Sequence, residues 1–157
     1  MLRAMSIDDD IVYDVIVLRL VIDTDVMVAA FDSPSGASRQ LLLDVLDGKA
    51  TLLLSTALML EYEATLTRPS VLEMIGLETA EVLAVLDELA GMCAPVGFDY
   101  QWRPAAHDPD DDFVLETAIN GFAHAISTFN IRDMAAGAAR FGIAVERPAD
   151  VLRRIRG

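Results

Sequence analysis

An apolar run from Val15 to Ile22, broken by Arg19, stops at Asp23-Thr24-Asp25, and apolar residues resume from Val26 to Phe31. The run has the composition of a buried strand and the segment after the acids is helix-compatible, so two carboxylates stand at a strand-to-helix junction. In an open α/β sheet, ligands bind outside the carboxyl ends of the strands, which makes Asp23 the first side chain to consider for chemistry. Asp23 or Thr24 is equally placed to cap the helix that follows, because short polar side chains before a helix accept from its first amides. The segment alone leaves both readings standing.

The remaining chain supplies the neighbours such a strand needs. The breaker cluster Asp32-Ser33-Pro34-Ser35-Gly36 precedes a helix from Ala37 to Leu46, with Gly48 as its stop, and a short apolar strand follows over Thr51 to Leu54. Ser55 or Thr56 caps a helix over Ala57 to Thr67 that ends at Pro69, and two further helices, Val71 to Ile75 and Glu78 to Met92, separate at Gly76. Ala94 to Phe98 suits an edge strand because Pro95 cannot donate to a ladder. Tyr100 to Asp110, with Trp102 and Pro104, is an irregular stretch and a plausible site rim. Then come a helix (Asp111 to Gly121), a strand (His124 to Thr128), a helix (Ile131 to Phe141), a strand (Gly142 to Val145) and a closing helix (Ala149 to Arg154). This alternation predicts an α/β fold whose central parallel β-sheet is flanked by helices on both faces, giving three layers. Residues 1–14 show no clean period, so residues 1–18 read as an N-terminal extension suited to a poorly ordered arm, and 19–157 as a single domain.

Composition narrows the function classes. A chain of 157 residues can bury a core without staples, and the single Cys93 excludes a disulfide framework and a cysteine zinc site. No uncharged apolar run approaches the roughly 20 residues of a membrane-spanning helix. The first ten residues carry Asp8-Asp9-Asp10 and no signal-peptide pattern, so a cytoplasmic location is expected. The net charge of −13, with every cation an arginine except Lys49, excludes a protein that grips nucleic acid by bulk charge. A nucleic acid substrate then requires locally clustered arginines and metal ions that offset the acids. The apolar content of 54% leaves room for a partner surface, including a homodimer interface.

Three more acidic positions fall at element ends. Glu61, with Glu63 nearby, follows the second strand of the series and shares a helix face with Leu58 and Thr65. A solvated helix face is the plain alternative. In His107-Asp108-Pro109-Asp110-Asp111-Asp112 the helix dipole alone can account for the acids. Asp111, however, stands four residues before Leu115 and seven before Ala118, on their inward face. Asp108, Asp110 and Asp112 imitate the start of an EF-hand, but Phe113 at the glycine position and Ile119 at the glutamate position exclude it. Asn130 with Asp133 ends the fourth strand of the series, close to a capping box. His107 and His124 read as a loop residue and a packed or hydrogen-bonded one. Carboxylates that converge repel one another, so a cluster built from these positions requires a divalent cation, and all-oxygen ligands select Mg2+ or Mn2+.

These residues, in order, resemble the PIN-domain (PilT N-terminus) family, whose members include the VapC-like toxin ribonucleases. The resemblance rests on Val21-Ile22-Asp23-Thr24-Asp25-Val26, Ser33-Pro34-Ser35-Gly36-Ala37-Ser38 and Leu58-Met59-Leu60-Glu61-Tyr62-Glu63 with Arg68-Pro69. It continues through Trp102-Arg103-Pro104, Asp108-Pro109-Asp110-Asp111 and Thr128-Phe129-Asn130-Ile131-Arg132-Asp133-Met134, covering nearly everything after residue 19. It implies a PIN-like fold and a Mg-dependent RNA endonuclease, the toxin component of a toxin–antitoxin system, neutralised by an antitoxin protein and homodimeric. It further implies Asp23 and Asp111 as metal ligands (Mg2+ or Mn2+), Glu61 and Asp133 completing the catalytic acids, and Thr24, Thr128 and Asn130 orienting them. Arg103, Arg68 and Arg132 are the cations to consider as phosphate contacts, with plain surface charge as the alternative. Two positions depart from the pattern: Asp25 replaces the usual asparagine, and His124 stands where the family often has aspartate. Two other functions compete. Asp23-Thr24-Asp25 also fits the nucleophile of a haloacid-dehalogenase-like phosphohydrolase, which needs a downstream lysine that only Lys49 could supply. The other is a catalytically silent PIN-like protein-binding module.

Overall fold

The computed structural model describes residues 2–7, 10–15, 17–97 and 111–157, with side chains described over 17–97 and 113–157. The apolar run becomes the central strand, β3 (Arg19–Ile22), and Leu20, Val21 and Ile22 are buried because the strand has parallel neighbours on both sides. On one side lies β4 (Thr51–Leu54), followed by the edge strand β5 (Ala94–Pro95); on the other lie β6 (Ala125–Ser127) and β7 (Ala144–Glu146). Leu20 is in register with both Leu52 and Ala125, and Ile22 with Ser127. Arg19, the one charge in the run, keeps its guanidinium at the strand's start, where Nε and Nη2 donate to the Gly121 carbonyl.

Helices α1 (Thr24–Asp32), α2 (Ala37–Leu46), α3 (Thr56–Leu66), α4 (Pro69–Ile75), α5 (Thr79–Met92), α6 (Asp111–Asn120), α7 (Ile131–Ala139) and α8 (Pro148–Arg156) flank the sheet and give the expected three-layer α/β arrangement. Strands β1 (Leu2–Ile7) and β2 (Asp10–Val15) form a separate antiparallel ribbon in which Leu2 opposes Val15. Among the described residues no helix is long and apolar enough to cross a membrane.

Element boundaries follow local chemistry. Ser55 caps α3 by accepting from the Leu58 amide, and Gly76 ends α4 in the left-handed region. Pro69 opens α4, where its missing N–H costs nothing, rather than only closing α3. The last strand starts two residues later than the sequence pattern suggests because Gly142, at φ +68, is a turn residue. Gly121 is required by packing: a Cβ there would lie 2.9 Å from the Thr117 carbonyl and from Val96 Cγ2. The expected strand over 94–98 is observed at its first two residues, while Phe98 and the irregular stretch from Tyr100 to Asp110 lie outside the described residues.

The strand order places the site. From β3 the chain moves to β4 and β5 on one side, then crosses to β6 and β7 on the other. The connections therefore diverge between β3 and β6, and crevices at such switch points, at the carboxyl ends of the strands, are where open α/β sheets bind ligands.

Candidate active site

Asp23 follows β3 at that switch point and fills the capping role the sequence allowed. It is the N-cap of α1, its Oδ1 accepting from the Thr24 amide at 2.7 Å, while its Oδ2 accepts from the Thr128 hydroxyl of the β6–α7 loop at 2.7 Å. Its own amide donates to the Ser127 carbonyl at 2.9 Å, so backbone and side chain both bridge β3 to the end of β6. The residue is 6% exposed and Thr128 is fully buried. Thr128 also accepts from the Asn130 amide at 2.9 Å, which orients its hydroxyl hydrogen toward Asp23.

Asp25 reaches the same loop from the first turn of α1: its Oδ2 accepts from the Phe129 amide at 3.1 Å. Burial pushes its carboxyl above the ordinary aspartate value, against the opposing effect of the Phe129 and Val26 amides. Thr24 Oγ1, Asp25 Oδ1 and Ser127 Oγ are buried and have no hydrogen-bond partner among the described residues. Three polar atoms left so, all from residues at or beside the same strand ends, are the kind of vacancy in hydrogen-bonding capacity that water or a ligand satisfies.

Helix α3 brings a further acid. Glu61 is half-buried, and the next residue, Tyr62, is fully buried with its hydroxyl donating to the Ile22 carbonyl at the end of β3. Burial first, then the charges of Asp23 and Glu61, hold the Tyr62 hydroxyl well above its ordinary pKa. Both acids therefore act on one phenol, from two different elements. Helix α3 is in turn tied to α6. The Thr117 hydroxyl donates to the Phe113 carbonyl at 2.6 Å, leaving the Ser55 hydroxyl to donate to Thr117 at 2.7 Å.

The other expected residues are placed as follows. Asp111 heads α6, but its side chain lies outside the described residues, as do Arg103, Trp102 and His107. Asp133 is half-buried in the first turn of α7. Asn130 occupies the N-cap position of α7 without a side-chain capping bond, so the capping-box alternative fails. Its amide is held by Thr128 instead. Arg68 and Arg132 are exposed. His124 accepts the Arg19 amide on Nδ1 at 2.8 Å, the hydrogen-bonded role expected of it. Lys49 pairs with Asp44 at 3.8 Å and precedes β4, at the amino end of the parallel strands and opposite the edge that bears Asp23, which counts against the haloacid-dehalogenase reading.

Among the described residues no three Asp, Glu, His or Cys side chains stand close enough to hold a metal ion together. Glu116, fully buried in α6, is an acid the sequence pattern did not single out. An i, i+3, i+4 pattern assumes one wet face, whereas α6 is buried at every position from Val114 to Ala118. The available signal was a lone charge inside the otherwise uncharged run Phe113 to Ile119.

Comparison with known proteins follows the same outline. A family profile described as PIN domain matches residues 19–132. The chain also resembles a solved structure of VapBC2 from Rickettsia felis bound to a DNA fragment from their promoter, at 14% sequence identity and a TM-score of 0.57. That match covers 83% of this chain and 98% of the other. No curated protein matches.

Proposed function

The chain belongs to the PIN-domain family, and from that premise we propose that it is a divalent-metal-dependent endoribonuclease, the toxin of a toxin–antitoxin pair silenced by a cognate antitoxin protein. The observation that carries this reading is the grip on Asp23: a buried carboxylate at the sheet's switch point whose two oxygens are each fixed by a donor. A side chain needed only as a cap would not need the second anchor across to β6.

The donor set fits a hard cation. It is all oxygen, and two of the polar atoms without a partner among the described residues, Asp25 Oδ1 and Thr24 Oγ1, lie within two residues of Asp23. Asp23 and Asp111 would hold the ion, Mg2+ or Mn2+, with Glu61 and Asp133 completing the acids. Bound there, it would polarise the scissile phosphate and offset the charge that develops on its oxygens.

The chain's own residues supply the rest. The Thr128 hydroxyl and the Thr24 amide together fix the direction of the Asp23 carboxylate, so it does not reorganise when charge shifts nearby. Glu61, on α3 next to the Tyr62 that reaches the end of β3, is the group to accept a proton from the attacking water. Arg68, Arg103 and Arg132 are the phosphate contacts, since the guanidinium fork matches phosphate oxygens. The antitoxin partner is inferred from likeness to a protein solved within a VapBC complex.

The test is a cleavage assay on total RNA with Mg2+ or Mn2+, comparing the native chain with Asp23→Asn and Asp111→Asn. Both variants should lose at least about a hundredfold in rate, the scale set by removing one strong electrostatic contributor, while melting as the native chain does. Cleavage that survives both substitutions would refute the mechanism. Partner binding without any cleavage would favour the silent binding module.

A further inference from the structure

Beside the acids, three carboxyl-edge segments enclose a slot of about 290 Å3: the α1–α2 turn at Ser33 and Gly36, Phe129 after β6, and Arg147 with Ala149 at the head of α8. We propose that this slot is a nucleobase subsite, in which one base of a single-stranded RNA flanking the scissile phosphate stacks on Phe129 while Arg147 contacts its phosphate. The inference rests on the ribonuclease reading above and names where its substrate is held.

Four observations support it. The slot adjoins the acids through a shared residue, because the Phe129 amide is the one that Asp25 accepts. Its volume, at the small end of the roughly 300–1,000 Å3 of ligand sites, is enough for a single base. Its walls are apolar, from Ala29, Ala37, Pro148 and Ala149, and Phe129 is 41% exposed, an aromatic face turned partly to solvent next to polar chemistry. Aromatic faces of this kind hold single-stranded bases largely without regard to sequence.

The rim is matched to a polyanion. Arg147 is exposed and has no carboxylate partner among the described residues. Gly36, which also lines the slot, is the N-cap of α2 and has no side chain to cap that helix's first amides, so the positive end of α2 faces this edge. In a chain with a net charge of −13, a rim carrying an exposed arginine and the N-terminal end of α2 is the local exception that a phosphate backbone needs.

The experiment measures binding of a fluorescent single-stranded RNA oligonucleotide to the full chain carrying Asp23→Asn, so that affinity is read without turnover. Phe129→Ala in that background should weaken binding about tenfold, the scale of one lost base–aromatic stack, and Phe129→Tyr should restore it. Ala149→Leu, at an exposed position, adds bulk to the wall of the slot and should weaken binding to a similar degree. Arg147→Ala should lower affinity evenly across sequences and reduce the log–log salt slope by about 0.7. In the active chain Phe129→Ala should raise KM more than it lowers kcat. If the native chain cleaves RNA but Phe129→Ala and Ala149→Leu bind and cleave as it does, the subsite is overturned while the nuclease reading stands. If no RNA is cleaved yet binding depends on Phe129, the nuclease reading falls and the subsite survives. Absence of RNA binding by every variant overturns the subsite, as does loss of protein-partner binding alone on filling the slot.

Discussion

Asp25 and Asp44 are treated in opposite ways by the same fold. Asp44, on α2, has a side chain 3% exposed that accepts from Arg156 Nε at 3.0 Å and Nη2 at 3.1 Å and faces Lys49 Nζ at 3.8 Å. The Arg156 hydrogen bonds are the main reason its carboxyl is held below the ordinary aspartate value. Asp25 takes an amide instead, its largest influence is burial, and its carboxyl is pushed upward. One acid is neutralised within the chain and latches the C-terminal helix α8 onto α2. The other stands beside Asp23 at the switch point, where no cation among the described residues is a group that shifts it. Charge compensation supplied from within marks a structural acid; an acid cluster without it is where a cation from solution has a role.

Neutralising one acid at the switch point and the acid on α2 should separate these roles most sharply. Asp23→Asn should cost about two orders of magnitude or more in cleavage with little change in melting temperature. Asp44→Asn should leave cleavage by the folded protein intact and lower the melting temperature. The reverse pattern, with Asp44→Asn silencing cleavage in a folded protein, would break the comparison.

Next in size is the phenol that links the acids to β3. Tyr62→Phe removes the donor to the Ile22 carbonyl in a fully buried setting. It should cost about 1–2 kcal/mol, which denaturant titration resolves. A cost near zero would mean that the hydroxyl does not anchor α3 to the end of β3.

The smallest effects carry opposite signs in pH. Asp44 has a folded pKa below its unfolded value, so its contribution is present above about pH 4 and is lost as pH falls through the folded value. Arg156→Ala should therefore lower the melting temperature at pH 7 and leave it unchanged at the acid end. Asp25 has a folded pKa above its unfolded value, so stability present at acid pH is lost as pH rises through the folded value. Asp25→Asn should accordingly raise the melting temperature at pH 7 in EDTA and converge with the native chain at acid pH. Melts of the three proteins across that range check both signs, and parallel curves for the two substitutions would sink the contrast.

Much of the architecture was open to reading before any coordinates. Helix α2 and strand β4 have the boundaries the pattern predicts, because Gly36, Gly48 and the apolar spacing are signals spanning a few residues. The acid at the end of β3 was visible for the same reason. What Asp23 touches was not: Thr128 lies 105 positions away, and Asp25 and Phe129 are separated by 104. Glu116 escaped because its burial depends on what packs around all sides of α6 rather than on its own helix.

The sequence by itself determined the order and kind of elements, and with them a parallel sheet whose first core strand ends in carboxylates, since periodicity, caps and breakers act within a turn or two of chain. Tertiary structure alone decided that β6 lies against β3, which brings Thr128 to one oxygen of Asp23 and the Phe129 amide to Asp25. It likewise decided that the Asp44 charge is answered by Arg156 while that of Asp25 is answered by an amide. Contacts between strands and helices a hundred residues apart are settled by register and packing, and no local pattern of residues encodes them.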